Sequence, residues 1–200
     1  MTVNRCKKHK YLGMTLDYSK EGACQINMFE NMKAILETFD KIDTKSKSTK
    51  KSAAPANLLT VQEDCNNINK ERSEQFHIIV AQVLFTTKHA SPDTGTAVSF
   101  LTTRVRDPDQ DYWLKLAHLM MYIRRTIDLP LTLSANGTGM LKWYVDGSYR
   151  IHPNMRGHSG GGLSMGTWFP ISYSTNHKLN KRSSTESEIF GVDDFMPSIL

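Results

Sequence analysis

The stretch LKWYVDGSYRIHPNMRGHSGG, residues 141–161, decides how this chain is read. Leu141, Trp143 and Val145 alternate with Lys142, Tyr144 and Asp146, the period of a strand with one apolar face. Side-chain alternation puts Asp146 on the side of Lys142, Tyr144 and Ser148. A Gly/His-rich turn follows, and Gly160–Trp168 and Ile171–Ser174 read as further strands. Ser183-Ser184-Thr185-Glu186 then has the form of a capping box and starts a helix, with Ile189, Val192 and Met196 as its expected apolar face. Strand, strand, strand, helix marks an α+β or α/β unit.

Upstream of residue 136 the dominant period is helical. Met28, Met32, Ile35 and Phe39 share one helix face, preceded by two short strands expected at 9–18 and 23–28 around a turn at Ser19–Gly22. Phe76, Ile79/Val80, Val83 and Thr87 form a second stripe, from Glu71 to the stop set by Pro92. A further helix is expected over Thr94–Arg104. Another opens at Pro108 and carries Trp113, Leu116/Ala117, Met120 and Ile123 until Leu129–Pro130. The run KIDTKSKSTKK (41–51) with SAAPAN (52–57) reads as a solvated linker. The predicted organisation is therefore three segments: 1–60, 61–135 and 136–200.

Bulk numbers bound the class. Of 200 residues, 39% are hydrophobic and 22% charged, close to globular averages. No apolar run reaches the roughly 18 residues of a membrane span, and MTVNRCKKHKYLG lacks a signal peptide's apolar core. Cys6, Cys24 and Cys65 are scattered and odd in number, which suggests reduced thiols in an intracellular compartment. Residues 1–60 hold eleven Lys/Arg against six Asp/Glu, and the rest hold fourteen of each. The whole net charge of +5 lies in the first third, which points to a polyanionic partner.

Two sets of residues could carry chemistry. Asp146 on a strand and Glu186 or Glu188 at a helix start can meet if that helix crosses the sheet. Clustered carboxylates suit hard divalent cations such as magnesium. The structural alternative is a solvated strand aspartate and glutamates placed to favour a helix N-terminus. His152 and His158 flank a turn without a third ligand at zinc spacing, and Gly160-Gly161-Gly162 does not lead directly into a helix, as a phosphate loop would. YVDG (144–147) and VDD (192–194) match the Tyr-x-Asp-Asp hairpin of polymerases poorly.

Taken together, YLGMTLDYSKEGACQINM, FHIIVAQVLFTTKHASPDTGTAVSFLTTRVRDPD, WYVDGS, HPNMRGHSGGGLSMG and KLNKRSSTESEIFGVDD closely resemble the Pol polyprotein of copia-type retrotransposons, from about Tyr11 to the last residue. The resemblance implies an α+β chain holding the end of a reverse transcriptase, its thumb/connection-like region at 61–135, and the first half of a ribonuclease H with a mixed sheet and one helix. It implies Asp146 and Glu188 as catalytic residues and ligands of Mg2+ or Mn2+, with Glu186 as the capping residue. Tyr11, Leu12, Gly13 and Met14 would be a primer-grip-like hairpin. The expected partner is an RNA–DNA hybrid or other nucleic acid, in cytoplasm or nucleus, with no membrane and no small-molecule substrate. On this resemblance the polymerase aspartates would precede Met1 and a later ribonuclease H aspartate would follow Leu200. The chain departs from the family pattern at Gly147 (commonly alanine), Asn154 (aspartate) and His177 (glutamine). The alternatives are a nucleic-acid-binding relic without catalysis, or a decayed reading frame.

Overall fold

A computed structural model describes residues 6–62 and 64–198. The N-terminal strands are β1 (Lys8–Tyr11), β2 (Met14–Asp17) and β3 (Ala23–Asn27). The helices α1 (Phe29–Ile42), α2 (Lys70–His89), α3 (Gly95–Thr102) and α4 (Gln110–Thr126) follow. Then come β4 (Leu131–Ala135), β5 (Lys142–Ser148), β6 (His158–Ser164), β7 (Gly166–Thr167), β8 (Ile171–Asn176) and α5 (Ser184–Phe195). The class is α+β, as expected. Both sheets are wholly antiparallel, however: β1-β2-β3-β4-β7 and β5-β6-β8. Among the described residues the small sheet is built from antiparallel neighbours throughout, not the mixed sheet expected.

The four helices share one core, and the sequence stripes are what they bury. Met32, Ile35 and Phe39 of α1, Phe76, Ile79, Val80 and Val83 of α2, and Trp113, Leu116, Met120 and Ile123 of α4 are all buried. Asn69 caps α2 by accepting from Arg72 N–H, and Asp109 caps α4 by accepting from Tyr112 N–H. The cap at Asp109 places the start of α4 just after Pro108, which cannot donate a helix hydrogen bond.

Three sequence expectations are corrected. Residues 9–18 are not one strand: Leu12 and Gly13 both have positive φ (47° and 78°), which makes a two-residue hairpin turn between β1 and β2. The expected linker is packed. Asp43 accepts from Trp113 Nε1–H, Lys50 N–H donates to the Met121 carbonyl, Leu58 is buried, and the Thr60 carbonyl accepts from the buried Lys115 ammonium. Its lysines are exposed, but its backbone is laced along α4, so the charge run is a fixed array. Finally, β4 has no counterpart among the expected strands. It pairs with β3, with Ala23 opposite Ser134, and then with β7, so strand pairing and the helical core both run across the expected segment boundaries near 60 and 135.

Candidate functional site

The small sheet positions the candidate carboxylates. β5 and β6 pair in unbroken register from Lys142↔Ser164 to Ser148↔His158, which sets Asp146 opposite Gly160. The helix α5 crosses one face of this sheet. Its buried residues are Ser187, Gly191 and Phe195, and they meet a surface of small residues. A Cβ on Gly147 would lie 2.6 Å from the Ser187 carbonyl oxygen and 3.0 Å from the Glu188 Cα, and one on Gly161 would lie 2.8 Å from the Phe195 ring. Glycine on the strand lets helix backbone and strand backbone touch.

This packing overturns the expected apolar face of α5. Ile189, Val192 and Met196 are exposed, Ile189 by 66%. The reason is the shape of the sheet: a floor of Gly147, Ser159 and Gly161 accepts a close helix only through Ser187 and Gly191, so the larger apolar side chains turn outward. The start of α5 is capped as the sequence pattern implies. Ser183 Oγ accepts from Glu186 N–H at 3.1 Å, while the Glu186 carboxylate reaches one residue further back, to Arg182 N–H at 2.7 Å.

The two blocks that carry Asp146 and Glu188 therefore meet at Gly147 and Glu188. Val145 and Gly147 face α5, so Asp146 faces the opposite side, above Gly160, where open space surrounds the strand. Phe190 turns toward His177 on one flank of α5, and Glu188 leaves roughly 160° round the helix, on the flank beside the outer edge of β5. Both carboxylates are exposed, and neither has a hydrogen bond or ion pair within the described residues. Asp146 and Glu188 are thus not brought together on one face of the sheet, and a cation held by both would have to reach round the edge of β5. Two hard oxygen donors in an open position fit an ion that keeps most of its waters. Among the described residues, no group of three or more His, Cys, Asp or Glu side chains is placed to hold a metal ion.

The residues expected to form a primer-grip-like hairpin lie in the other sheet. Tyr11 and Leu12 are each 61% exposed at the hairpin tip, Gly13 packs its turn against Asn31 of α1, and Met14 is buried in the helical core. Lys7, Lys8 and Lys10 are exposed beside them.

Sequence reasoning missed a buried histidine ladder in the small sheet. His152 Nε2 and His158 Nδ1 are 3.1 Å apart, His158 Nε2 is 2.8 Å from Ser174 Oγ, and His177 Nε2 is 2.6 Å from Ser159 Oγ. Among the described residues His177 Nδ1 has no hydrogen-bond partner. Burial pushes His158 down to about 4, helped by His152 and His177. Burial also lowers His152, together with Arg104 and His177, and lowers His177, together with Lys181. The three rings are therefore held neutral. His152 and His158 lie close in sequence across a turn, a spacing that suggests only a loop, and His177 joins them by a pairing that local sequence does not show.

No protein-family model, no curated protein and no solved structure matches this chain. Among the described residues no helix is long and apolar enough to cross a membrane.

Proposed function

We propose that this chain is a piece of the reverse transcriptase–ribonuclease H part of a copia-type Pol polyprotein, acting inside the cell on nucleic acid. In this reading Asp146 and Glu188 are two carboxylates of a metal site for cutting RNA in an RNA–DNA hybrid. The observation that supports it is the contact at Gly147: the blocks WYVDGS and SSTESE, alike to that family only as a pair, are brought backbone to backbone. A bound Mg2+ or Mn2+ would supply an activated water and stabilise the leaving oxygen. Asp146 and Glu188 would hold such an ion at the β5 edge and orient it by their negative charge. Two ligands do not fix two ions against a phosphate, so this chain alone does not cleave the hybrid.

A hybrid-cleavage assay with Mg2+ or Mn2+, beside Asp146→Asn, tests the reading. The expected result is no turnover by either protein. Turnover that Asp146→Asn abolishes would overturn the claim of inactivity and show a complete site. A second reading, nucleic-acid binding without catalysis, is favoured by the lysine array fixed along α4. It predicts hybrid binding unchanged by Asp146→Asn and indifferent to divalent cations beyond their screening.

A further inference from the structure

The outer edge of β5 is open. Among the described residues β5 pairs only with β6, which leaves its seven residues, Lys142–Ser148, with one row of backbone donors and acceptors unpaired along the strand. β5 has no proline, its register with β6 carries no bulge and the strand is not short, so the exposed Lys142 and Asp146 are the defences this edge retains. Apolar groups flank the same edge. Met140 and Leu141, just before β5, and Tyr144 within it are exposed by 58%, 60% and 53%. An edge of this kind is a template for another strand.

We propose that this edge pairs antiparallel with the same edge of a second copy of the chain, in the register centred on Tyr144. The strand's own charge pattern singles out the occupant. Antiparallel self-pairing about an axis perpendicular to the sheet keeps each side chain on its own face, so only registers centred on a residue are allowed. Centred on Tyr144, Lys142 stands opposite Asp146 of the second copy, and Asp146 opposite its Lys142. Tyr144 stacks on its own counterpart, and Trp143 meets Val145 on the helical face. Centred on Trp143, Lys142 faces a tyrosine; centred on Val145, Asp146 faces a tyrosine and Lys142 a serine. Opposite charges directly across a strand pair stabilise it and like charges oppose it. One of these registers alone is charge-complementary. The product is a six-stranded sheet with both copies of α5 on one side.

The pairing uses the same edge and the same Asp146 as the metal reading, so the two compete there, and running the test in a chelator keeps them apart. The measurement is light-scattering mass after size exclusion, over a dilution series, for the full chain and for Lys142→Glu and Asp146→Lys. Both side chains are exposed, so circular dichroism should show the variants folded like the parent. The parent should have the mass of two chains and dissociate on dilution. Each single reversal makes both cross-strand pairs repulsive, so each variant alone should dimerise at least about tenfold more weakly. Mixed in equal amounts, the two variants form a heterodimer in which both cross-strand pairs are again of opposite charge. One pair is reversed in sign and the other is the parental Lys142–Asp146 pair, so the mixture should recover the dimer. Backbone amides of β5 should be protected from hydrogen exchange in the parent and the mixture, but not in either variant alone. A parent that stays at the mass of one chain overturns the proposal, as does a dimer that neither reversal weakens. Failure of the mixture to recover it would overturn the Tyr144 register.

Discussion

At Gly147 the strand backbone touches the helix backbone, and everything proposed for Asp146 and Glu188 depends on that contact. The resembled family commonly carries alanine here. In this chain an alanine methyl would stand 2.6 Å from the Ser187 carbonyl oxygen, so α5 would have to retreat or tilt. Alanine suits a strand interior better than glycine, which makes the sign of the test informative. Gly147→Ala should destabilise the chain by about 1–3 kcal/mol through overpacking, read as a lower urea midpoint with an unchanged slope. An unchanged or higher midpoint would mean that the helix has room to give. Asp146 and the capping serine are plain in the sequence, because alternation and caps are local signals. Which face α5 buries is not. Ile189 and Val192 look like a core stripe until the glycine floor beneath the helix is known.

The element that most separates this small sheet from a generic hairpin-plus-helix is the histidine ladder between the 149–157 loop, β6 and the segment after β8. His158 is held at about 4 in the folded chain, against about 6.5 when unfolded. Because the folded value is the lower one, the ladder's contribution is complete above about 6.5 and is lost as pH falls toward 4. The groups that face it do not reverse this: Arg104 and Lys181 oppose protonation, and only Asp194, near His177, favours it. Stability should therefore fall by roughly 1–2 kcal/mol between pH 7 and pH 5, measured by urea unfolding at each pH. Replacing His158 with glutamine should flatten that dependence. A parent profile already flat over this range would contradict the neutral, buried ladder. Among the other elements, α1, α2 and α4 are legible in the sequence because each carries a full apolar stripe. β4 is not, because so short a strand alternates too briefly to declare itself, and its partner β3 lies on the far side of all four core helices. Nor is the packing of 43–60, since the contacts at Asp43 and Thr60 are single polar anchors inside a composition that reads as solvent-exposed.

On the scale of the whole molecule, the charge is concentrated in the first third and the candidate carboxylates stand in the last. Arg5 of the basic segment lies outside the described residues. Lys45, Lys47, Lys50 and Lys51 are exposed on a segment anchored to α4, and Lys7, Lys8 and Lys10 surround the first hairpin. In the proposed nucleic-acid reading such an array would bind phosphates by releasing counterions. Affinity for an RNA–DNA hybrid should fall steeply with salt, and changing Lys45, Lys47, Lys50 and Lys51 to glutamine should make the slope of log affinity against log salt shallower. An affinity that is the same at low and physiological salt would count against this surface. The stripes of the helical core, the strands of the small sheet and the basic excess are each visible in the sequence. Their union is not, because strand partners distant in sequence decide it.

The most direct test of the central claim, that Asp146 and Glu188 form one cation site at the edge of β5, is a Mn2+ titration followed by amide NMR line widths. A paramagnetic ion broadens nearby amides at once, whether or not the chain has activity. Asp146, Gly147 and Glu188 should broaden together at the lowest Mn2+ concentrations, and Asp146→Asn or Glu188→Gln should weaken the effect at both places. Broadening at only one of the two carboxylates, or first at acidic residues elsewhere in the chain, would contradict it.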